Sequence, residues 1–265
     1  MDVSNLQACV KNVTRTRLLK EPTQRKESNN EWTYITVYVD DLMIASDRKE
    51  NVDRIIEKLK EKYVDITINR GKVHDYLGMR LEFSKQNEVF ISMSTYTNEI
   101  CKEYGINGTA DTPAANDHFE IDDGSQKLSN KEREQFHRTV AQCLYAVSRT
   151  RPDASLAVFF LTTRVLDPTE QETKKLERVL RYFNGTESIG LFVGMNENNE
   201  HRLVCYADAA HGVDYNGKSH TGIAIAHGRG ANVAKSVKQK IVCRSCTESE
   251  LVALSDAASL TYYEL

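Results

Sequence analysis

Two adjacent carboxylates, Asp40 and Asp41, lie in an otherwise almost wholly apolar stretch, TYITVYVDDLMIAS, at residues 33–46. A buried carboxylate without a partner costs several kcal/mol, and two adjacent ones also repel each other. The cost disappears if both side chains meet solvent at a tight turn between two strands. Adjacent acids at such a tip can share Mg²⁺, and a pair of such ions can stabilise the attacking and leaving oxygens in phosphoryl transfer. Double aspartates are also common in ordinary turns, so the pair alone leaves both interpretations open.

Length and composition predict a globular chain with an apolar core. Of its 265 residues, 40% are hydrophobic and 28% are charged, and this length suits one or two domains. No apolar run reaches the roughly 18 residues of a membrane span, and the first residues lack the pattern of a secretory signal. The 6 Cys are scattered along the chain, which favours free thiols in a reducing compartment. We therefore expect an intracellular protein, cytoplasmic or nuclear, that is not secreted.

Charge is unevenly distributed. The formal net charge of −3 means that the whole chain does not attract nucleic acid by its charge. The window from residue 229 to 246 nevertheless contains only basic charges, namely those of Arg229, Lys235, Lys238, Lys240 and Arg244. Such windows can contact phosphate. A run of like charge is also typical of a solvated surface, and both interpretations stay open.

Hydrophobic spacing in the first half of the chain predicts alternating strands and helices. Residues 1–31 are polar and weakly patterned, and the stretch KEPTQRKESNNE looks disordered. Residues 32–46 predict a strand, a tight turn and a second strand. Residues 48–63 have the spacing of an amphipathic helix. A hairpin is predicted over residues 75–93, and a helix over 94–106 with Ser94 or Thr95 as its cap.

The second half of the chain begins with a turn-rich linker at residues 107–130. Helices are predicted over about 131–149, 153–165 and 169–183. Strand-like segments follow at LFVGM, HRLVCYADAA, TGIAIAHG and ANVAKSVKQKIVC. A final helix has one side formed by Leu251, Leu254, Ala258 and Tyr262. The fold class expected from these elements is mixed α/β.

Several words of the sequence, in order and at similar spacing, resemble the Pol polyproteins of copia-type long-terminal-repeat retrotransposons. YVDD is similar to the third catalytic motif of reverse transcriptases, and YLGMRLEF resembles the hairpin that supports the primer end. TRPD, LRY and GT…GL resemble the connecting segment, and YADAAHG, GKSHTGIAIAHG and CTESELVALSDAA resemble the ribonuclease H domain. The resemblance implies a partial reverse-transcriptase palm at 1–106, a linker with a helical thumb and connection at 107–195, and an incomplete ribonuclease H-like sheet domain at 196–265.

The resemblance implies roles for residues around the acidic pair. Asp40 would be the main metal ligand with Asp41 beside it, and Tyr38 would lie near the incoming nucleotide. Such a palm needs another aspartate from an upstream motif. Asp2 in MDVSNL looks like that motif, but we reject it, because ACVKNV directly after it resembles the strand shortly before YVDD. We therefore expect the fingers and half of the palm site to be missing.

In the ribonuclease H part, sites of the family gather three or four carboxylates around two metal ions. Asp208 matches the central-strand aspartate and Glu250 the helix glutamate, with Glu248 as the alternative. The third carboxylate of the family lies on a later strand, which this sequence does not reach. Asp256 is not counted, because six residues of helix turn it by about 600° from Glu250.

Other polar groups have weaker interpretations. Lys235, Lys238, Lys240 and Arg244 match a region that contacts the backbone of an RNA–DNA hybrid in the resembled domain, or are simply solvated. Cys243 and Cys246 form a lone C-x-x-C without a common zinc spacing. Asp214 is expected in a turn, and the 7 His suggest no Ser/His/Asp grouping.

Three function classes follow. The first is an RNA-directed DNA polymerase with ribonuclease H activity, expected to be impaired by its incomplete sites. It would use Mg²⁺ or Mn²⁺, deoxynucleoside triphosphates, a primer–template or RNA–DNA hybrid, and other polyprotein segments, in a cytoplasmic virus-like particle or the nucleus. The second is a non-catalytic remnant that binds nucleic acid. The third is a decayed transposable element without a selected role.

Overall fold

In the computed structural model, the chain folds into two compact units. The structure describes residues 7–11, 23–26, 32–63, 65–85, 88–194 and 203–264. Of these, the first unit takes the residues up to Ile91 together with Phe192–Gly194, and the second takes the rest. The described residues form six α-helices and twelve β-strands in several antiparallel sheets, so the fold is mixed α/β as predicted.

Along the described residues, runs of strands are separated by a single helix or by a run of helices. In order they are β1 (Gln7–Lys11), β2 (Thr23–Lys26), β3 (Trp32–Tyr38), β4 (Asp41–Ser46), α1 (Lys49–Lys62), β5 (Thr67–Arg70), β6 (Val73–Tyr76), β7 (Met79–Lys85), β8 (Glu88–Ser92), α2 (Ser94–Tyr104), α3 (Asn130–Arg149), α4 (Ser155–Thr162), α5 (Glu170–Gly185), β9 (Leu191–Gly194), β10 (Leu203–Ala210), β11 (His220–His227), β12 (Ala231–Lys238) and α6 (Cys246–Glu264). A 3-10 turn at Pro152–Ala154 directly precedes α4.

The first unit is built on a five-stranded antiparallel sheet in the order β2-β3-β4-β1-β5. Along β4, Leu42 and Ile44 are buried while Asp41, two positions before Met43, belongs to the other face. Val52 and Ile56 of α1 pack onto the buried face. Burying an aliphatic side chain of this size contributes about 1.5–3 kcal/mol. The helix therefore covers one face and leaves the face of Asp41 to other elements.

A second sheet, in the order β6-β7-β8-β9, packs against that other face. Cys9 of β1 forms a small core with Tyr76 and Leu81 of the second sheet. The turn between β6 and β7 consists of Leu77 and Gly78, whose φ angles are +53° and +73°. Two consecutive positive φ angles are the pattern of the tightest hairpin turns. This turn brings Tyr76 directly under the first sheet.

In the second unit, α2, α3, α4 and α5 share one apolar core. Its fully buried large side chains include Phe136, Phe160, Leu176 and Phe183. The sequence marks the starts of α3 and α5, because Ser129 with Glu132 and Thr169 with Glu172 form capping boxes. The segment between α2 and α3 has no helix or strand, yet it packs onto this core through Phe119, Ile121 and Leu128.

The second unit also contains a three-stranded antiparallel sheet, β10-β11-β12, with α6 on one face. Ala253 and Ala257 of α6 are buried, and Ala257 packs with Ile223 and Ile225 of β11. The small alanine side chains let the helix backbone approach the sheet closely. The side of α6 that carries Leu251, Leu254 and Tyr262 faces solvent. The apolar spacing in the sequence therefore marked the exposed side of this helix.

The structure confirms most predicted elements and corrects three details. Residues 23–26, within the stretch predicted to be disordered, form β2 and pair with β3. The cap of α2 is Met93 rather than Ser94 or Thr95, and it makes no side-chain capping bond. The predicted hairpin over 75–93 is preceded by an additional strand, β6. None of the described helices is both long and apolar enough to cross a membrane. The boundaries predicted at 106/107 and 195/196 stay predictions.

Candidate active site

The acidic pair lies in the hairpin formed by β3 and β4. Cross-strand pairing runs from Thr33 opposite Ser46 to Tyr38 opposite Asp41. The predicted strand, tight turn and strand are therefore confirmed, but only Asp40 belongs to the two-residue turn. Asp41 is the first residue of β4. Asp40 is thus held by the turn, whereas Asp41 is held by the strand.

The turn has an unusual backbone conformation at Val39. Its φ is +53°, whereas Asp40 has no positive φ. A positive φ at the first central residue alone is the pattern of a type II′ hairpin turn, where glycine is the usual residue. A β-branched residue in this region is strained, at a cost of about 1–3 kcal/mol. Tyr38, Val39 and Asp40 are all exposed, so this strained turn presents its acid to solvent.

Asp41 lies on the sheet face opposite α1, above the second sheet. Beneath it, Tyr76 is only 6% exposed, and its hydroxyl has no hydrogen-bond partner among the described residues. Burial raises the pKa of Tyr76, and the negative charge of Asp41 raises it further, followed by smaller effects of Cys9 and Tyr38. A neutral phenol with an unused donor therefore lies within electrostatic reach of the Asp41 carboxylate.

Metal binding at the hairpin would depend on few protein ligands. Among the described residues, no three side chains of His, Cys, Asp or Glu are grouped so that they could hold a metal ion. Mg²⁺ needs less than that, because it binds through one or two carboxylates and completes its octahedron with waters and substrate phosphates. The exposed Asp40 beside Asp41 fits this minimal donor set. The metal role of both residues stays a prediction, and Asp2 lies outside the described residues.

The second acidic candidates lie on β10 and α6. Asp208 is exposed and pairs with Gly222. Its neighbour Ala207 packs on the core under α6, so the side chain of Asp208 points to the opposite face of the sheet. Glu250 is exposed on the first turns of α6. The metal roles of Asp208 and Glu250 stay predictions.

Two other acids of this region already have structural partners. Glu248 accepts a hydrogen bond from the backbone N–H of Arg244 at 2.6 Å, and its own N–H donates to Ser245 Oγ at 3.2 Å. This arrangement resembles a capping box at the start of α6. Asp256 accepts a hydrogen bond from Thr221 Oγ1 at 3.5 Å. Glu250 is therefore the acid of this helix start that is not used for capping.

The four basic residues predicted to contact nucleic acid have different environments. Lys235, Lys240 and Arg244 are exposed. Lys238 is half-buried, with its Nζ 3.3 Å from Asp214 Oδ1 and 4.9 Å from the centre of the Tyr215 ring. Its charge is therefore largely balanced within the protein. The three exposed residues remain the stronger candidates for phosphate contacts, which stay predicted.

Asp214 lies in a turn as expected, since the N–H of Gly217 donates to its carbonyl oxygen at 2.8 Å, but its side chain is buried. It is only 6% exposed, and its Oδ2 lies 3.0 Å from His220 Nε2 without the alignment of a hydrogen bond. Burial lowers the pKa of His220, and Asp214 opposes that effect. Sequence reasoning missed this pairing, because nothing in the spacing indicates that the loop folds back onto β11.

Comparison with known proteins finds relatives of the chain, although no protein-family model matches it. The chain is 29% identical over 227 residues to a Saccharomyces cerevisiae protein named for transposon Ty5-1, which covers 84% of this chain and 72% of that protein. It is 28% identical over 232 residues to the uncharacterized mitochondrial protein AtMg00810 of Arabidopsis thaliana, which covers 86% of this chain and 93% of that protein.

A longer relative is a whole polyprotein. The chain is 25% identical over 244 residues, 88% of its length, to the retrovirus-related Pol polyprotein from transposon TNT 1-94 of Nicotiana tabacum. Together these similarities support a fragment of a copia-type retrotransposon Pol polyprotein. This copia-type chain spans 18% of the tobacco polyprotein. The activities of a whole Pol polyprotein are therefore proposals for this chain.

Proposed function

We propose that this copia-type Pol chain contributes the acidic hairpin of a reverse-transcriptase palm and takes part in RNA-directed DNA synthesis. The observation that supports it best is the two-residue turn, which exposes Asp40 at the end of an apolar hairpin. The turn places Asp40 in solvent directly beside Asp41 at the start of β4. This arrangement suits Mg²⁺, which takes exposed carboxylate oxygens together with substrate phosphates.

The residues around the turn would have separate tasks. Bound Mg²⁺ or Mn²⁺ would supply neutralisation of charge on the primer hydroxyl and the triphosphate. Asp40 and Asp41 would hold it at the hairpin. The buried Tyr76 would keep a neutral hydroxyl under Asp41 and steady that carboxylate. Tyr38, which is 56% exposed, would offer its ring to the incoming nucleotide.

The same proposal assigns the other regions. Residues 1–106 would be palm, 107–195 thumb and connection, and 196–265 a ribonuclease H-like domain that acts on RNA in an RNA–DNA hybrid through Asp208 and Glu250. The three-stranded sheet with α6 on one face supports the domain assignment, but Asp208 points to the face opposite α6, so this arrangement does not bring it together with Glu250. We further propose that the chain works inside the cell with other polyprotein segments.

The chain by itself should be a weak polymerase. Two-metal transfer relies on several carboxylates around the ions, and no group of three potential ligands occurs among the described residues. We expect slow extension of a primed RNA template that depends on Mg²⁺ or Mn²⁺ and disappears in Asp40→Asn. Asp65→Asn, which removes another exposed acid, is the matched control and should retain the activity. No extension above a blank would remove the polymerase proposal, and robust processive synthesis would refute the predicted weakness.

A second candidate function is duplex binding without chemistry. It is favoured by the absence of a three-ligand group in the described part of the chain, combined with the exposed cations Lys235, Lys240 and Arg244. This function predicts salt-sensitive binding of an RNA–DNA hybrid that persists in Asp40→Asn and weakens in Lys235→Ala/Lys240→Ala. Binding that is absent at low salt would leave neither function standing.

A further inference from the structure

A pocket of about 360 Å³ lies in the second unit, beside the exposed face of α5. Four cationic side chains of α5 line it, namely Lys174, Lys175, Arg178 and Arg181. Asp117 is the acidic residue in the lining, and His118 lies next to it. The lining therefore carries more positive than negative charge.

The cations meet because of helical spacing. Lys174, Arg178 and Arg181 follow one another at intervals of four and three residues, so they share one helix face. Arg181 donates a hydrogen bond to Glu177 Oε2 at 3.0 Å, which balances part of its charge. Lys174 is exposed and has no ion-pair partner among the described residues. The opposite wall of the pocket lies far away in the chain, so the sequence of α5 alone does not reveal it.

That opposite wall is fastened to α5 by hydrogen bonds. Arg178 donates through Nη2 to Thr112 Oγ1 at 2.8 Å and through Nε to Thr112 O at 3.2 Å. The N–H of Ala110 donates to Arg181 O at 3.2 Å, and Asn184 Nδ2 donates to Gly108 O at 3.0 Å. A pocket with fixed walls loses little conformational entropy when a ligand binds.

Buried polar groups lie under the pocket. His118 is 2% exposed and donates from Nε2 to Ala157 O at 3.0 Å. Lys175 is 8% exposed, and its Nζ donates to Glu120 O at 2.5 Å while lying 4.9 Å from the centre of the Phe160 ring. A carbonyl and a ring stabilise the ammonium but do not neutralise it. Burial lowers the pKa of Lys175, and the charges of Glu172, Asp117 and Glu120 oppose that effect, so its ammonium is partly balanced by nearby carboxylates.

We propose that this pocket binds a phosphoryl group. Guanidinium groups offer paired N–H donors to phosphate oxygens, and ammonium groups add point charges. The phosphoryl group could belong to free pyrophosphate or to a nucleic-acid backbone, since both present the same oxygens. The inference is separate from the proposed metal chemistry, because no residue of the pocket belongs to the acidic hairpin.

The test measures binding to the full chain at low ionic strength. Pyrophosphate is titrated by calorimetry, and a short labelled RNA–DNA hybrid is titrated by fluorescence anisotropy. Lys174→Ala/Arg181→Ala should weaken binding at least about threefold, since two charges are lost. Lys131→Ala, which removes an exposed cation on α3, should leave binding unchanged. Asp117→Asn should strengthen it, a gain that misfolding cannot produce.

Each outcome has a definite meaning. Pyrophosphate binding with the expected response to all three variants supports the pocket with a free phosphate as ligand. The same responses with the hybrid support a backbone phosphate. Binding that falls equally in Lys131→Ala, or that does not rise in Asp117→Asn, overturns the proposal, as does the absence of binding by both probes. Thermal unfolding of each variant by circular dichroism verifies that it is folded.

Discussion

Tyr38 and Asp41 form the last cross-strand pair of the acidic hairpin. Because they face each other directly, the turn has room for only Val39 and Asp40. Side chains on a strand alternate between two faces, and Leu42, the next residue, is buried in the core with α1, so the carboxylate of Asp41 belongs to the face that α1 does not cover. The register of β4 therefore determines which face of the sheet is acidic.

Replacing Val39 by glycine should stabilise the first unit. Its φ of +53° is unfavourable for valine and ordinary for glycine. We expect Val39→Gly to raise the free energy of unfolding by about 0.5–1 kcal/mol, measured by urea denaturation. Val73→Gly is the matched control, because Val73 is a partly exposed strand residue without a positive φ. That control should lower stability, and an equal loss in both variants would show that the turn is not strained.

Metal binding should depend on the hairpin acids. Removing one charge next to a divalent ion costs about 1 kcal/mol or more even in water. We expect Asp40→Asn to weaken Mn²⁺ binding at least about fivefold. Binding is measured by the loss of the free-Mn²⁺ signal in electron paramagnetic resonance. Asp65→Asn should leave the affinity unchanged. An unchanged affinity in Asp40→Asn/Asp41→Asn would place the ion elsewhere.

Stability should fall in acid because of Glu172. Burial alone would raise the pKa of Glu172, but hydrogen bonds from Thr169 and the charge of Arg164 outweigh it, so the pKa lies below its ordinary value of 4.5. A carboxylate with a lowered pKa stabilises the folded state above pH 4.5, and this contribution disappears as the pH falls through the pKa of the folded state.

Glu172→Gln tests this contribution. It should cost about 1–3 kcal/mol at pH 7, because the bond with Arg164 loses its charge, and it should flatten the decline of stability in acid. Glu132→Gln, in the exposed capping box of α3, should cost less. If the free energy of unfolding of Glu172→Gln still falls in acid as steeply as before, other carboxyl groups cause that fall. Urea denaturation at several pH values measures both effects.

Substitutions on the exposed side of α6 should change stability much less than substitutions on its buried side. Leu251 and Leu254 are 63% and 60% exposed, so Leu251→Lys/Leu254→Lys should change the free energy of unfolding by no more than about 0.5 kcal/mol. Ala257 is 1% exposed, so Ala257→Leu should cost about 1–3 kcal/mol through overpacking. Thermal unfolding compares them, and a large loss in the lysine variant would mean that the leucine side is buried.

Local patterns predicted local structure well. Short-range patterns predicted the helical spacing of α1, the alternation of β4 and the capping residues of α5. Each of these patterns spans only a few residues, so the sequence shows it directly. The acidic turn was predictable for the same reason, although not the strain at Val39. The chemical roles of Asp40, Asp41, Asp208 and Glu250 rest on resemblance and stay predictions.

Features that depend on distant contacts were not predictable. The pairing of Asp214 with His220 needs a loop to fold back, and the phosphate pocket needs Thr112 to reach Arg178 across 66 residues of chain. The side of α6 that is buried depends on small alanines rather than on the larger apolar residues. The larger apolar residues do share one side, as the spacing indicated, but their hydrophobicity does not show which side of the helix is buried.

The strand β1 is the first described strand, yet it lies between β4 and β5, with Ala8, Cys9 and Val10 almost fully buried. Its second neighbour ends at Arg70, about 60 residues later. At a translation rate of about 5–20 residues per second, a nascent chain waits roughly 3–12 s between the two. During that interval β1 can pair with β4 but still lacks its second neighbour, which makes its open edge a natural substrate for chaperones that bind nascent chains.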